Sequence, residues 1–383
     1  MERYIGGEFY YELKVEEKQT ENLHDKGNLD CVLSEEALYA NGRMHNFLSG
    51  GSDCLGFICR ILKREGCEKL LIPEYICPTV LDCLDREKMG YTFYKVNNEF
   101  SIDLESIKSE LWKVQGLLYL DYFGFCHNEK TLSYILDLKN SGLHIIHDMV
   151  QKLSMKGTVS NFSFNSIRKY TPYDGGYIEF DKKYRENAEH ILKEMEKTED
   201  SLLQNNLKRL EMIRIARQLK SDFILSGQGE EKEYLELFEA SEDSYRRKVI
   251  SIGDAEERMY FERLNLFKLR AQRCKNYIAL QRLLKENKDI YIPFSDIKYT
   301  DFPLGMPIFL TGGKRDGLRK HLKERNIFLP IHWQMDKAMR IPIESCLENM
   351  INNELTLVID QRYGYEDMEK LAKAVVQYLE GIG

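Results

Sequence analysis

The sequence predicts an α/β fold, a mostly parallel sheet covered by helices and followed by a smaller α/β unit. Three observations predict it. Short apolar runs alternate with amphipathic helical stretches between residues 70 and 164, which is how strand–helix–strand units of a parallel sheet read. A carboxylate, Asp148, follows one of those runs, in the crevice where open α/β sheets bind ligands. The C-terminal part then reads as strand, helix, strand and helix on a smaller scale.

At 383 residues the chain is long enough for one large core and a second, smaller one. The expected division is an N-terminal arm over 1–45, a large domain over 46–255 and a small domain over 256–383. No run approaches the ~18 apolar residues of a membrane span. The N-terminus lacks the basic start and apolar centre of a signal peptide, so the cytoplasm is the expected location. A net charge of −7 argues against nucleic acid as a partner, because phosphate binding wants a basic surface. The nine cysteines are odd in number and form no CxxC pair, which suits reduced thiols and gives no metal site.

Taken in order, residues 1–45 show no strong periodicity beyond a short helix expected at 34–40. In LSGGSDCLGFICRILKREG, residues Cys54, Leu55, Ile58, Ile61 and Leu62 recur at helical spacing. Ser52 or Asp53 is expected to cap that helix and Gly66 to stop it. A Gly-Gly-Ser turn opening a helix can bind an anion, since free N–H groups and the helix dipole face the ligand. Strands are expected at 70–72, 91–94, 117–120, 143–146 and 161–164, with helices at 78–88, 104–111 and 129–139. Residues 182–290 read as charged helix, with Leu264, Leu266, Phe267 and Leu269 on a partial apolar face. A strand at 306–310, a helix at 314–326, a strand at 327–333 and a final helix at 365–379 complete the chain.

An acid at the Asp148 position is what a pyridoxal phosphate (PLP) enzyme needs to hold the pyridine nitrogen protonated. Beyond it come Ser163-Phe164, Ser166, Arg168, Lys169 and the Asp174-Gly175-Gly176 turn. HDMVQ, SFNSIRK and DGG in that order, preceded by GGSDCL, resemble the DegT-type sugar aminotransferase family of fold-type-I PLP enzymes. That family's pattern is acidic-Asp-x-x-Gln, then Ser-Phe, a lysine and Gly-Gly, with a Gly-Thr-x-Ala-Leu phosphate loop upstream. The resemblance covers about residues 45–180 and 260–380, and against that family's core the segment 230–247 reads as an insertion.

The resemblance implies a fold-type-I architecture, PLP as cofactor and a homodimer. It implies transfer of an amino group from an amino acid such as glutamate to a keto sugar, nucleotide-linked in this family. Carried over, Asp148 pairs with the ring nitrogen, Gln151 lies by the ring hydroxyl, and Gly51, Ser52 and Ser163 bind the phosphate. Tyr75 stacks on the ring, and Lys169 forms the Schiff base. Three positions depart from the pattern. Aligned without gaps the family lysine falls on Arg168, which cannot form an imine. Either the loop shifts by one, with Lys169 serving and Arg168 turned to the phosphate, or the chain is a lysine-less, dehydratase-like PLP or pyridoxamine enzyme. A scaffold of this fold without chemistry is the third alternative. Asp121 in DYFGF stands where the family's His-x-Tyr-Gly loop has histidine, and His147 replaces the acid before Asp148. His332, before Trp333, reads as a packing residue, and Arg362 as a partner of nearby acids.

Overall fold

The structure, a computed structural model, describes residues 4–11, 43–153, 159–198, 200–245, 249–333 and 345–381. The helix expected at 34–40 lies outside the described residues. In chain order the elements are β1 (Ile5–Gly6), β2 (Met44–Leu48), α1 (Gly51–Arg64), β3 (Lys69–Pro73), α2 (Pro78–Arg86), β4 (Gly90–Tyr94), α3 (Leu104–Glu110) and β5 (Gly116–Leu120). They continue with α4 (Glu129–Asn140), β6 (His144–Asp148), β7 (Phe162–Phe164), β8 (Gly176–Phe180), α5 (Arg185–Met195), α6 (Asp200–Ser226), α7 (Glu231–Tyr245), α8 (Ala255–Glu262) and α9 (Leu266–Leu284). The last are β9 (Ile290–Tyr291), β10 (Met306–Leu310), α10 (Arg315–Lys323), β11 (Ile327–Phe328), α11 (Ser345–Asn353), β12 (Glu354–Leu357) and α12 (Tyr365–Leu379).

The main sheet has seven strands in the order β2-β8-β7-β6-β5-β3-β4. The five strands predicted between 70 and 164 run parallel to one another. The inner strands are buried on both faces, as a helix-covered sheet requires: all five residues of β5, GLLYL, are buried, whereas β4, at the edge of the sheet, buries only Tyr94. Strand β6 runs through Asp148, paired with Leu120, so the carboxylate is the last residue of the strand instead of lying past its end.

Strands β2 and β8 were not expected. β8 runs against its neighbours on both sides. Its sequence GYIEF carries Glu179 at 0% exposure, a charge that hides the strand from any hydrophobicity reading. Arg43, from the segment expected to be an arm, makes that burial tolerable: its Nη1 donates to Glu179 Oε2 at 3.2 Å. Gly175 leads into β8 at φ +133, and a Cβ there would lie 2.1 Å from the Phe47 ring of β2. Only glycine fits that approach.

Toward the C-terminus β10 lies between β9 and β12 in an antiparallel sheet. The strand expected at 327–333 is confined to β11, which pairs in parallel with β1 near the N-terminus. Pro330, which has no N–H to donate, follows closely. The charged stretch after β8 is helical as expected, with α6 and α7 packed on each other. Phe100 joins the two sheets, its ring 5.7 Å from that of Phe294 and 5.6 Å from that of Phe309 on β10.

Candidate active site

A cavity of about 90 Å³ lies at the C-terminal ends of β6 and β7. Its walls are the start of α1, the turn after β3, Asp148 to Gln151, the segment after β7 and the His332–Trp333 pair. It shares Arg168, Lys169 and His332 with a larger cavity of about 480 Å³. The sheet therefore brings Gly51, Ser52, Asp148, Gln151, Arg168 and Lys169 to one place from a stretch of more than a hundred residues.

Asp148 is 6% exposed, and its Oδ1 accepts a hydrogen bond from Val150 N at 2.8 Å. Burial pushes its pKa up to about 7 against that hydrogen bond, and the nearby charge of Asp121 adds to the rise. Among the described residues Asp148 has no ion-pair partner. Gln151 is buried and its Oε1 accepts from Phe123 N at 2.6 Å. That bond fixes the loop after β5, where Phe123 adopts φ 54.

Helix α1 begins at Gly51, with Gly50 as N-cap and no side-chain hydrogen bond to the cap. The expected caps are thus inside the first turn. Asp53 instead accepts from Ser251 N at 3.2 Å, and Ser52 Oγ lies 3.4 Å from Arg86 Nη2. Uncapped first-turn N–H groups and the helix dipole are left to face the cavity. A Cβ on Gly51 would meet Val150 Cγ2 at 2.9 Å and Ser166 Cβ at 3.4 Å. The helix start is seated directly on the segments that carry Asp148 and Lys169.

Arg168 and Lys169, adjacent in sequence, have different surroundings. Arg168 Nη1 donates to Glu242 Oε1 on α7 at 2.8 Å. The pKa of Glu242 is lowered: burial would raise it, and the Arg168 guanidinium outweighs that. Lys169 makes no ion pair with a described residue, and its pKa is lowered by desolvation and then by the charge of Arg168. Its amine is therefore pushed toward the neutral form. His332 lines both cavities instead of serving only as packing. Thr356 Oγ1 lies 2.8 Å from its Nδ1, and its backbone N donates to Glu354 Oε2 at 2.7 Å. Desolvation, reinforced by Lys169, lowers the His332 pKa to about 3, so the imidazole is neutral.

Two of the expected site residues do not line the cavity. Tyr75 is 0% exposed and points into an aromatic cluster, 5.3 Å from the Trp333 ring and 5.9 Å from that of Tyr122, while Ile76, Cys77 and Trp333 line the cavity. Ser163 lies within β7 at 0% exposure, its Oγ 2.8 Å from Ser160 Oγ. Alternation along the strand and the turn beyond it place Ser166 on the cavity wall instead. Glu354 and Thr356, which hold His332, had no local signal, because their strand is distant in sequence. Arg362 pairs with Asp360 at 2.9 Å as expected, and its guanidinium also lies 4.3 Å from the Phe9 ring centroid.

The two remaining departures face each other. His147 Nε2 lies 3.2 Å from Asp121 Oδ2. Asp121 also receives Lys152 Nζ at 3.0 Å. Burial would raise the Asp121 pKa, and Lys152 with His147 holds it well below the carboxylate range instead. Among the described residues no group of three or more His, Cys, Asp or Glu side chains could hold a metal ion.

The sheet order, the single opposed strand and the position of the cavity define a fold-type-I PLP transferase architecture. Among solved structures, the chain is similar to Helicobacter pylori PseC, an aminotransferase involved in the biosynthesis of pseudoaminic acid, with TM-score 0.67, 13% identity and coverage of 99% of this chain and 100% of that one. It is similar to S. venezuelae DesV, with TM-score 0.63, 14% identity and 98% of each chain covered. A DegT DnrJ EryC1 StrS aminotransferase from Brucella abortus gives TM-score 0.59 and 14% identity over 98% of this chain and 91% of that one. No protein-family profile and no curated protein matches by sequence. The shared feature is the fold, that of DegT-type sugar aminotransferases. No described helix is long and apolar enough to cross a membrane.

Proposed function

We propose that the cavity holds PLP and that the protein transfers an amino group from an amino acid such as glutamate to a keto sugar, nucleotide-linked in its natural form. The observation that carries this reading is Asp148, a buried carboxylate at a strand end with a raised pKa and no ion-pair partner among the described residues. A protonated pyridine nitrogen would supply that partner. Two further features of the cavity fit the group: the uncapped start of α1 suits a phosphate, and Lys169 offers an amine whose neutral form is favoured. The solved structure of DesI in the presence of its TDP-sugar product, which has the same fold at 12% identity, supports a nucleotide-linked sugar.

When bound, PLP supplies an electron sink that stabilises negative charge at the substrate carbon next to nitrogen. The chain's own residues do the rest. Asp148, as carboxylate, holds the pyridine nitrogen protonated. Lys169 is the nucleophile and the base that moves a proton at the substrate carbon, roles that need an accessible neutral amine. Gly51, Ser52 and Ser166 bind the phosphate by backbone N–H and hydroxyl groups. Gln151, its Oε1 engaged by Phe123, has its Nε2 left for the ring hydroxyl. Arg168, held by Glu242, is a charged neighbour that adds to the effect of burial in lowering the Lys169 pKa. This engagement favours the lysine-bearing enzyme over the lysine-less alternative.

The arm over 1–45, the large domain over 46–255 and the small domain over 256–383 remain the division this reading implies. A homodimer with the sites at its interface, and a cytoplasmic setting in which the eight described cysteines stay free, complete it. The test is spectroscopic. Protein loaded with PLP and given L-glutamate should change from the PLP to the pyridoxamine phosphate spectrum and release one equivalent of 2-oxoglutarate per site. An unchanged spectrum across amino-acid donors would overturn the transaminase assignment.

A further inference from the structure

Behind the cavity, Lys152 is a buried lysine that the proposed chemistry does not use. It is 3% exposed, and its Nζ lies 3.0 Å from Asp121 Oδ2 and 2.8 Å from Cys126 Sγ. Sulfur's larger radius puts an ordinary hydrogen bond to it farther out than one to oxygen. Elsewhere in this chain Cys77 Sγ is 3.1 Å from Thr79 Oγ1, and Cys83 Sγ is 3.4 Å from Arg86 Nη2. The Lys152–Cys126 approach is closer than either.

The contact is held from both sides. Lys152 N donates to Met149 O at 2.8 Å in the turn after β6. Cys126 N donates to Asp301 Oδ1 at 2.9 Å, and its thiol reaches Thr300 O at 3.5 Å. The sulfur is also reachable. Cys126 is only half-buried, and it lines a separate cavity of about 180 Å³ between Phe125, His127 and Phe294, distinct from the one that contains Lys169.

We propose that Cys126 and Lys152 form an oxidation site, in which dioxygen joins them through a reversible N–O–S bridge. Lys152 enters as –NH₃⁺ and Cys126 as –SH. The O–O bond breaks, N–O and O–S bonds form, and the products are –NH–O–S–, one water and one proton. Nitrogen and sulfur each lose two electrons, and dioxygen takes up all four. Asp121, hydrogen-bonded to the ammonium, accepts the released proton before it reaches solvent.

The bridge converts a cation into a neutral, weakly basic nitrogen. Asp121 then loses its ammonium partner and keeps His147 Nε2 at 3.2 Å, an imidazole that burial pushes toward its neutral form. Because His147 immediately precedes Asp148 on β6, oxidation changes the charge directly behind the proposed cofactor anchor. The bridge itself is independent of the proposed reaction and is tested without it.

The experiment compares intact masses of the full chain, purified anaerobically with dithiothreitol, before and after exposure to air-saturated buffer. Air should add about 14 Da, one oxygen gained and two hydrogens lost, and dithiothreitol should remove it. Trypsin should fail to cut after Lys152, and that peptide should be joined to the one containing Cys126. Cys126→Ser, which changes one atom, should show no gain. An unchanged mass in air, a gain of about 32 Da from sulfinic acid, or a 14 Da gain that persists in Cys126→Ser or survives dithiothreitol would each overturn the bridge.

Discussion

Replacing Asp148 with asparagine should stabilise the PLP-free protein while removing its affinity for the cofactor's charged ring. The carboxyl pKa rises from 3.8 to about 7 on folding. The unfolded chain therefore gives up this proton more readily than the folded one, and stability falls as pH climbs from the first value through the second. At 1.36 kcal/mol per unit, the difference of about three units sets a penalty of about 4 kcal/mol above pH 7, shrinking to below about 1 kcal/mol near pH 4. Asparagine is nearly isosteric, retains an oxygen to accept from Val150 N and carries no charge, so it escapes that penalty. Urea denaturation of both PLP-free proteins at several pH values measures it. The variant should be more stable by about 2–4 kcal/mol near pH 8, with the gap closing toward pH 4. A variant that is less stable than wild type near pH 8, or a gap that does not change with pH, would refute a desolvated, unpaired carboxylate at this site. Loss of PLP binding with gain of apo stability in one variant is a combination that a purely structural aspartate does not produce.

Three further predictions follow from the same geometry. Borohydride reduction of the PLP-treated protein should fix a pyridoxyl group on Lys169, and Lys169→Ala should abolish it; a group mapped to the buried Lys152 instead would reassign the nucleophile. Glu242→Gln removes a carboxylate that raises the Lys169 pKa, so the pH at which the reducible adduct forms should move downward; an upward move would contradict the contact. Arg43→Ala removes the guanidinium paired with Glu179 at 0% exposure, at an expected cost of about 3 kcal/mol in denaturation, and the double variant Arg43→Met with Glu179→Met should recover most of it.

Much of the fold was determined by local sequence. Apolar runs bounded by turns and periodic helices specify the five parallel strands and their covering helices, because burial on both faces demands a continuous apolar strand. The order of Asp148, Ser163, Lys169 and Gly175-Gly176 also marked the segment that builds the cavity. Tertiary structure decided what pairing at a distance decides. β8 hides in the sequence because the partner of Glu179 is Arg43, more than a hundred residues earlier, and β1 exists only because Ile327 and Phe328 lie beside it. It also chose Ser166 over Ser163 for the cavity wall, turned Tyr75 into the core and brought His332 to Lys169. The adjacent Arg168 and Lys169 differ for the same reason: Glu242, on a helix the sequence marked as an insertion, engages the guanidinium. A residue's type states which chemistry is available to it, and its surroundings in three dimensions set the charge state and the partner that select among those options.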